Sequence, residues 1–203
     1  MKTAEPALNE LAWHPGTHPI QQARFWVPDH LYEWQREGLV AAAMPHSRAI
    51  VSSNNESGKT SVLITILGFS VMTRFPGASV FSTSASERQV EQQLFFDNLV
   101  PIVDRLAPFG WHYTKTDNMI FAPNGSTWMC YVCADANNVE GFHSGRNHDG
   151  TYRPVCYTMD ECKGINDDVE QAVRRIDPDF MLAVSTPGKD EGFFYEAFED
   201  IAF

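Results

Sequence analysis

The chain has 203 residues, 43% of them hydrophobic, and carries 15 Lys and Arg against 26 Asp and Glu, for a net charge of −11 at pH 7. This length suits one globular domain with one sizeable core, and the acidic balance excludes a surface that binds nucleic acid over most of its area. No apolar run reaches the roughly 18 residues of a membrane span, and the N-terminus lacks a secretory signal. We therefore expect a soluble, intracellular protein with no membrane partner.

The cysteines do not form a recognisable metal-binding pattern. Cys130 and Cys133 lie in a predicted strand over residues 127–133, where residues three apart face opposite sides of the sheet. Cys156 and Cys162 do not repeat the spacing of a zinc knuckle. Reduced, partly buried thiols are expected.

The first 30 residues are rich in proline and contain scattered aromatic residues, which predicts an extended arm ahead of a domain spanning residues 31–203. Residues 31–44 are predicted to form a helix that Pro45 ends. Within it, the amide of Gln35 can both donate and accept, which suits adenine, and Trp34 can cover the base. The alternative is a solvated glutamine beside a core tryptophan.

Residues 53–60, Ser-Asn-Asn-Glu-Ser-Gly-Lys-Thr, lie between a predicted strand at 48–53 and an apolar-periodic helix from Ser61. They match the P-loop pattern except at the first position, where Ser53 replaces glycine. Lys59 is then expected to reach the β- and γ-phosphates and Thr60 to join a Mg²⁺ shell. The predicted phosphate-binding residues are Ser53, Asn54, Asn55, Glu56, Ser57, Gly58, Lys59, Thr60 and Ser61.

Further elements follow in alternation. A strand is predicted at 78–82, and a long helix capped by Ser86 is predicted to run to about residue 106, with Pro101 kinking or dividing it. The Asn124-Gly125 pair between apolar runs at 119–122 and 127–133 predicts a β-hairpin.

A polar, glycine-rich loop is predicted over residues 137–150. Its Arg146 is long enough to reach a γ-phosphate in its own or an adjacent subunit, and a surface loop without that role is the alternative. His143 and His148 lack further ligands at a metal-binding spacing.

Residues 154–161 predict an apolar strand that ends in two carboxylates. At the end of a strand beside a phosphate loop, Asp160 can hold Mg²⁺ and Glu161 can deprotonate the attacking water. A solvated turn is the alternative. The apolar run at 179–185 predicts a buried strand whose Ser185 and Thr186 sense the γ-phosphate, or else form a capped turn before a last helix at 191–202.

The alternation of strands and helices predicts a three-layer α/β P-loop fold with a mainly parallel central sheet and an antiparallel hairpin. The order of the motifs resembles the ATPase domain of the large terminase subunit, the DNA-packaging motor of tailed bacteriophages. The motifs that carry the resemblance are Tyr32 to Gln35, residues 53–60, residues 84–89, Gly141-Phe142-His143, Met159 to Ile165 and residues 185–188.

The resemblance implies an ASCE-type ATPase that uses ATP and Mg²⁺, with Gln35 selecting adenine, Lys59 and Thr60 as the Walker A pair, Asp160 and Glu161 as the Walker B pair, and Ser185-Thr186 as the coupling motif. It also implies double-stranded DNA, a homo-oligomeric ring on a portal protein and a small terminase subunit as partners, in the host cell cytoplasm. A nuclease domain is not expected from this chain.

This sequence departs from the family in one respect. Many members have an arginine inside the phosphate loop, where this chain has Asn54, Asn55 and Glu56. The resemblance therefore requires an arginine from elsewhere, and Arg146 is the candidate. Two rival functions stay open at this point: a helicase-like nucleic-acid remodelling ATPase, and an assembly module that binds nucleotide without hydrolysing it.

Overall fold

A computed structural model of the chain describes residues 18–26, 31–132, 143–188 and 191–199. Cys133 and the Gly141-Phe142 part of the sequence pattern lie outside these residues. Among the helices of the described segments, none combines the length and apolarity that a membrane crossing requires.

A central sheet of seven strands organises the fold, in the order β1-β9-β8-β2-β5-β4-β3. Strands β1, β9, β8, β2 and β5 are parallel, whereas β4 and β3 are antiparallel to their neighbours. A separate antiparallel pair joins β6 to β7. The strands are β1 (Ser47–Ser52), β2 (Ser79–Ser84), β3 (His112–Thr114), β4 (Met119–Phe121), β5 (Thr127–Val132), β6 (Gly145–Arg146), β7 (Tyr152–Arg153), β8 (Val155–Asp160) and β9 (Phe180–Ser185).

Helices cover both faces of this sheet. They are α1 (Pro19–Trp26), α2 (Glu33–Ala42), α3 (Thr65–Arg74), α4 (Val100–Leu106), α5 (Asp167–Ile176) and α6 (Phe193–Glu199). π-Helical segments, Lys59–Ile64 and Gln89–Leu99, lead directly into α3 and α4, and short 3₁₀ turns occupy Ala107–Phe109 and Cys162–Gly164. Pro101 lies in the first turn of α4, just after the change from the π-helical to the α-helical segment. The chain stays helical across this point, so the helix is not divided there, and the predicted kink stays a prediction.

Strand β9 shows why three layers form. Every residue of Phe180–Ser185 is buried, and alternate side chains belong to two different cores. Phe180, Leu182 and Val184 pack with helices α1 to α4, whereas Met181 and Ala183 pack with α5 and α6. The predicted three-layer α/β P-loop class, with a mainly parallel sheet and an antiparallel hairpin at β4–β5, is confirmed.

The prediction of an extended arm over residues 1–30 is wrong for the described residues Pro19–Trp26, which form helix α1. Proline suits the first turn of a helix because that turn needs no backbone donor. The Trp26 ring stacks on Phe69 of α3 with centroids 5.1 Å apart, and its carbonyl accepts a 3.2 Å hydrogen bond from Arg105. This tertiary packing supplies the stability that the local sequence lacks.

Candidate active site

The carboxyl ends of three adjacent parallel strands bring the predicted site residues together. Ser52 at the end of β1 pairs with Ser185 at the end of β9, and the Ser53 N–H donates to the Ser185 carbonyl over 3.1 Å. Strand β8 ends beside β9 at Asp160. Loops at this edge of an open α/β sheet are the usual place for a ligand.

The predicted phosphate loop closes around the side chain of Lys59. Gly58 has a φ of 83°, a left-handed conformation that glycine adopts without strain. Lys59 is 5% exposed, and its ammonium donates to the carbonyls of Ser53 and Asn54 over 3.0 and 2.6 Å. Burial lowers the pKa of Lys59, and the nearby carboxylates of Glu161 and Asp160 oppose that shift.

Thr60 and Asp160 meet across the sheet although they are 100 residues apart. The Thr60 hydroxyl donates to Asp160 Oδ2 over 2.7 Å, and the Glu161 N–H donates to Asp160 Oδ1 over 3.0 Å. A hydroxyl in contact with a buried carboxylate suits Mg²⁺, which takes few protein oxygens and keeps several waters. The described residues contain no cluster of three or more His, Cys, Asp or Glu side chains that could hold a metal ion, so a transition-metal cage does not form among them.

Burial raises the pKa of Asp160 to about 6 against the hydrogen bond from Thr60, which lowers it. Between pH 3.8, the pKa of an unperturbed aspartate, and about pH 6, the pKa in the folded protein, the folded state carries more bound protons at this carboxyl than the unfolded chain. The free energy of unfolding therefore falls as the pH rises through this range. We expect the free energy of unfolding of wild type, relative to Asp160→Asn, to fall by up to about 3 kcal/mol from pH 4 to pH 7. Urea unfolding with a chelator present measures it, and parallel curves for the two proteins would contradict the shift.

Glu161 adopts a left-handed backbone conformation with a φ of 50°, which is uncommon for a non-glycine residue and is found at functional sites. Its side chain lines a pocket of about 220 Å³ together with residues 55–61 and Asn98. Glu161 Oε2 lies 3.7 Å from the ammonium of Lys163. Sequence reasoning missed Asn98, because only the path of the π-helical segment Gln89–Leu99 brings this polar residue to the pocket.

A second pocket of about 520 Å³ adjoins the phosphate loop. Gln35 lines it and is 3% exposed; its amide accepts from the Tyr32 N–H and donates to the Ser57 carbonyl, both over 2.9 Å. The amide therefore braces the loop, with one N–H and one lone pair left for a ligand. Tyr32, which is 68% exposed, is the aromatic residue among the described lining, whereas Trp34 packs against the core.

Glu56 lines both pockets and has a φ of 57°. An acidic residue therefore lies where the two pockets meet.

Ser185 and Thr186 are both buried and are tied to the turn after β8. The Ser185 hydroxyl accepts the Lys163 N–H over 3.3 Å, and the Thr186 hydroxyl accepts from the Lys163 ammonium. The predicted γ-phosphate contact of these hydroxyls stays a prediction.

Arg146 lies near the amino ends of the parallel strands, whereas residues 53–60 lie at their carboxyl ends. Its hairpin is held at the amino ends of β2 and β8, where Asn147 donates to the Pro76 carbonyl over 2.9 Å and the Ser79 N–H donates to Pro154. A six-residue strand such as β8 spans roughly 20 Å, so Arg146 does not reach the phosphate loop of its own chain. Its guanidinium donates instead to the Gly150 carbonyl over 2.8 Å.

The first strand of the parallel sheet leads through a Gly-Lys-Thr loop into a helix, and β8, separated from it by β9, ends in a buried aspartate that contacts this loop. This arrangement defines a P-loop NTPase fold. Within that class, the fold is that of the ATPase domain of phage large terminases. The HK97 bacteriophage large terminase superimposes with a TM-score of 0.68 and 17% identity, over 91% of this chain and 40% of that chain.

Other solved structures agree. The large terminase ATPase domain of Thermus phage P74-26 gives a TM-score of 0.65 and 18% identity, over 89% of this chain and 74% of that chain. The large terminase of a thermophilic bacteriophage, solved in complex with ADP, gives a TM-score of 0.52 and 16% identity, over 75% of this chain and 37% of that chain. No protein-family model and no curated protein sequence matches the chain significantly.

Proposed function

We propose that this domain hydrolyses ATP with the help of Mg²⁺ and that hydrolysis drives double-stranded DNA into a viral procapsid. The observation that carries the chemistry is the 2.7 Å contact between Thr60 and Asp160, with Glu161 lining the same pocket as the phosphate loop. That arrangement supports a hydrolase over a module that only binds nucleotide, because hydrolysis needs a base near the phosphate and Glu161 lines the pocket proposed to hold it.

Each side chain has a separate task in this proposal. Lys59 and the N–H groups at the start of the Lys59–Ile64 helical segment bind the phosphates, since a helix N-terminus and an ammonium both attract anions. Thr60 and Asp160 would hold Mg²⁺, which when bound neutralises phosphate charge. Glu161 orients the attacking water and accepts its proton.

The adenine base of ATP is expected to bind in the second pocket, the one of about 520 Å³ that Gln35 lines. Tyr32 offers an exposed ring at its wall, and Gln35 has one amide hydrogen and one lone pair that its protein contacts leave available. Adenine presents an acceptor beside a donor on one edge, which matches that amide. Selection of adenine by Gln35 rests on this match.

The packaging role rests on the structural neighbours, which are large terminases and large terminase ATPase domains. This chain spans 40% of the HK97 large terminase chain, so the activity of a whole packaging motor goes beyond the domain described here. A ring of identical subunits on a portal protein, a small terminase subunit, double-stranded DNA and the host cytoplasm are proposed as its setting.

We further propose that Arg146 serves the phosphate site of a neighbouring subunit, since its hairpin lies at the amino ends of β2 and β8, away from residues 53–60 of its own chain. ATP turnover per subunit is then expected to rise with protein concentration, and Arg146→Ala should lower the plateau by about 10³-fold. Arg153→Ala, in the paired strand β7, is the matched control. Equal turnover per subunit at all concentrations would contradict the arrangement.

The activity itself is tested by ATP binding and steady-state hydrolysis in wild type and Lys59→Ala. Removing the ammonium should weaken binding and reduce turnover by about 10²-fold or more, because a buried cation is lost from the phosphates. Lys115→Ala, at an exposed position outside both pockets, is the control. Wild type that binds ATP without releasing phosphate would favour the assembly module, and wild type that does not bind ATP would refute the nucleotide site.

A further inference from the structure

The turn after β8 carries a lysine that connects two parts of the site. Lys163 lies in the 3₁₀ turn Cys162–Gly164. Its ammonium is 3.7 Å from Glu161 Oε2 and donates to the Thr186 hydroxyl. The Lys163 ammonium therefore lies between the carboxylate of Glu161, which follows β8, and the hydroxyl of Thr186, which follows β9.

The backbone around Lys163 is fixed as well. Its N–H donates to the Ser185 hydroxyl over 3.3 Å. A Cβ on Gly164 would come within 2.7 Å of Ala85, so the turn packs closely against the end of β2. A Cβ on Gly188 would lie 2.8 Å from both Cβ and Cδ of Lys163, so the absence of a side chain at 188 makes room for the lysine stem.

The solvent exposure of Lys163 and Glu161 indicates that their contact does little for the stability of the fold. The side chain of Lys163 is 40% exposed and that of Glu161 is 24% exposed, and a pair this open adds little to the stability of the fold. Glu161 nevertheless lines the phosphate pocket, whereas Lys163 does not. The contact is thus placed to set the direction of the Glu161 carboxylate.

We propose that Lys163 is a positioning residue that holds the Glu161 carboxylate toward the phosphate pocket and joins its orientation to Thr186 at the end of β9. The proposal rests on the proposed ATPase function. It gives the segment at 185–186 a physical route to the base: a movement of Thr186 displaces the ammonium, and the ammonium displaces the carboxylate. A displacement of about 1 Å in a reacting group is enough to slow a reaction by about 100-fold.

The test compares Lys163→Met with wild type in steady-state ATP hydrolysis. Methionine keeps the length of the stem and loses the charge, so kcat should fall about 10- to 100-fold, while KM for ATP and the affinity for a non-hydrolysable ATP analogue should stay within about twofold. Lys115→Met, in the exposed segment between β3 and β4, should keep wild-type kcat. A kcat equal to that of wild type, or one that rises, would overturn the proposal, as would a change confined to KM.

Thr186→Val supplies a second variant, because it removes the hydroxyl that accepts from the Lys163 ammonium and keeps both charged side chains. It should lower kcat several-fold alone and by less than about twofold when added to Lys163→Met, since both changes break one connection. Additive losses would refute the bridge. If wild type hydrolyses ATP and Lys163→Met retains full kcat, only the positioning role of Lys163 is refuted. If wild type does not hydrolyse ATP, the proposed function is refuted, and the positioning role with it.

Discussion

Replacing Glu161 with Gln is expected to lower kcat for ATP hydrolysis by about 10²- to 10⁴-fold and to leave nucleotide affinity nearly unchanged. Glutamine has the same shape but does not accept a proton at neutral pH, so it removes the base and keeps the volume of the pocket. Asp160 and Lys59 keep their own contacts with Thr60 and the loop carbonyls, which is why binding should survive.

Steady-state phosphate release and equilibrium binding of a non-hydrolysable ATP analogue measure the two effects separately. Glu91→Gln is the matched control, because Glu91 is exposed on the Gln89–Leu99 segment and does not line the phosphate pocket. Turnover in Glu161→Gln equal to that of the control would refute the assignment of the base. A large loss of affinity would instead assign Glu161 to nucleotide binding.

Gly68→Ala is expected to reduce the free energy of unfolding by about 2–3 kcal/mol. An added Cβ would lie 2.2 to 2.7 Å from three ring atoms of Trp128, and this ring is fully buried. The Trp128 indole also donates to the Ser82 hydroxyl over 2.8 Å, so moving the ring breaks a buried hydrogen bond. These costs exceed the roughly 1 kcal/mol that alanine gains over glycine inside a helix.

Gly38→Ala provides the comparison, since Gly38 is a buried glycine within helix α2. An added Cβ there would meet Val51 at 3.4 Å and Leu63 at 3.6 Å, which is ordinary contact. We expect this variant to be neutral or stabilised by up to about 1 kcal/mol. Urea unfolding of both variants tests the difference, and equal stabilities would show that the Trp128 ring yields without cost.

Local patterns predicted the elements that position the site. The apolar run ending at Asp160 and the continuous run ending at Ser185 are strands β8 and β9, buried along their whole length. The Asn124-Gly125 turn joins β4 to β5, with Gly125 at a φ of 83°. These signals are strong because strand burial and turn geometry each restrict the residues that fit.

Other elements carry weaker local signals. Helix α5 follows Asn166 and begins with Asp167 and Asp168, a charge pattern that suits a helix start. Strands β3, β6 and β7 have two or three residues each, too few for a periodic pattern to show. Helix α1 depends on the contact of Trp26 with Phe69, which lies far away in sequence.

The sequence by itself determined that residues 53–60 connect a strand to a helical segment and that a second, buried strand ends at Asp160, because residue spacing and apolar patterning constrain both. The tertiary structure decided which side chains share a space. It joined the Gln35 amide to the Ser57 carbonyl and brought Lys163 between Glu161 and Thr186. It also placed Arg146 near the amino ends of the parallel strands, away from residues 53–60. Such contacts join residues from different strands, and strand order, which local sequence does not encode, sets which of them meet.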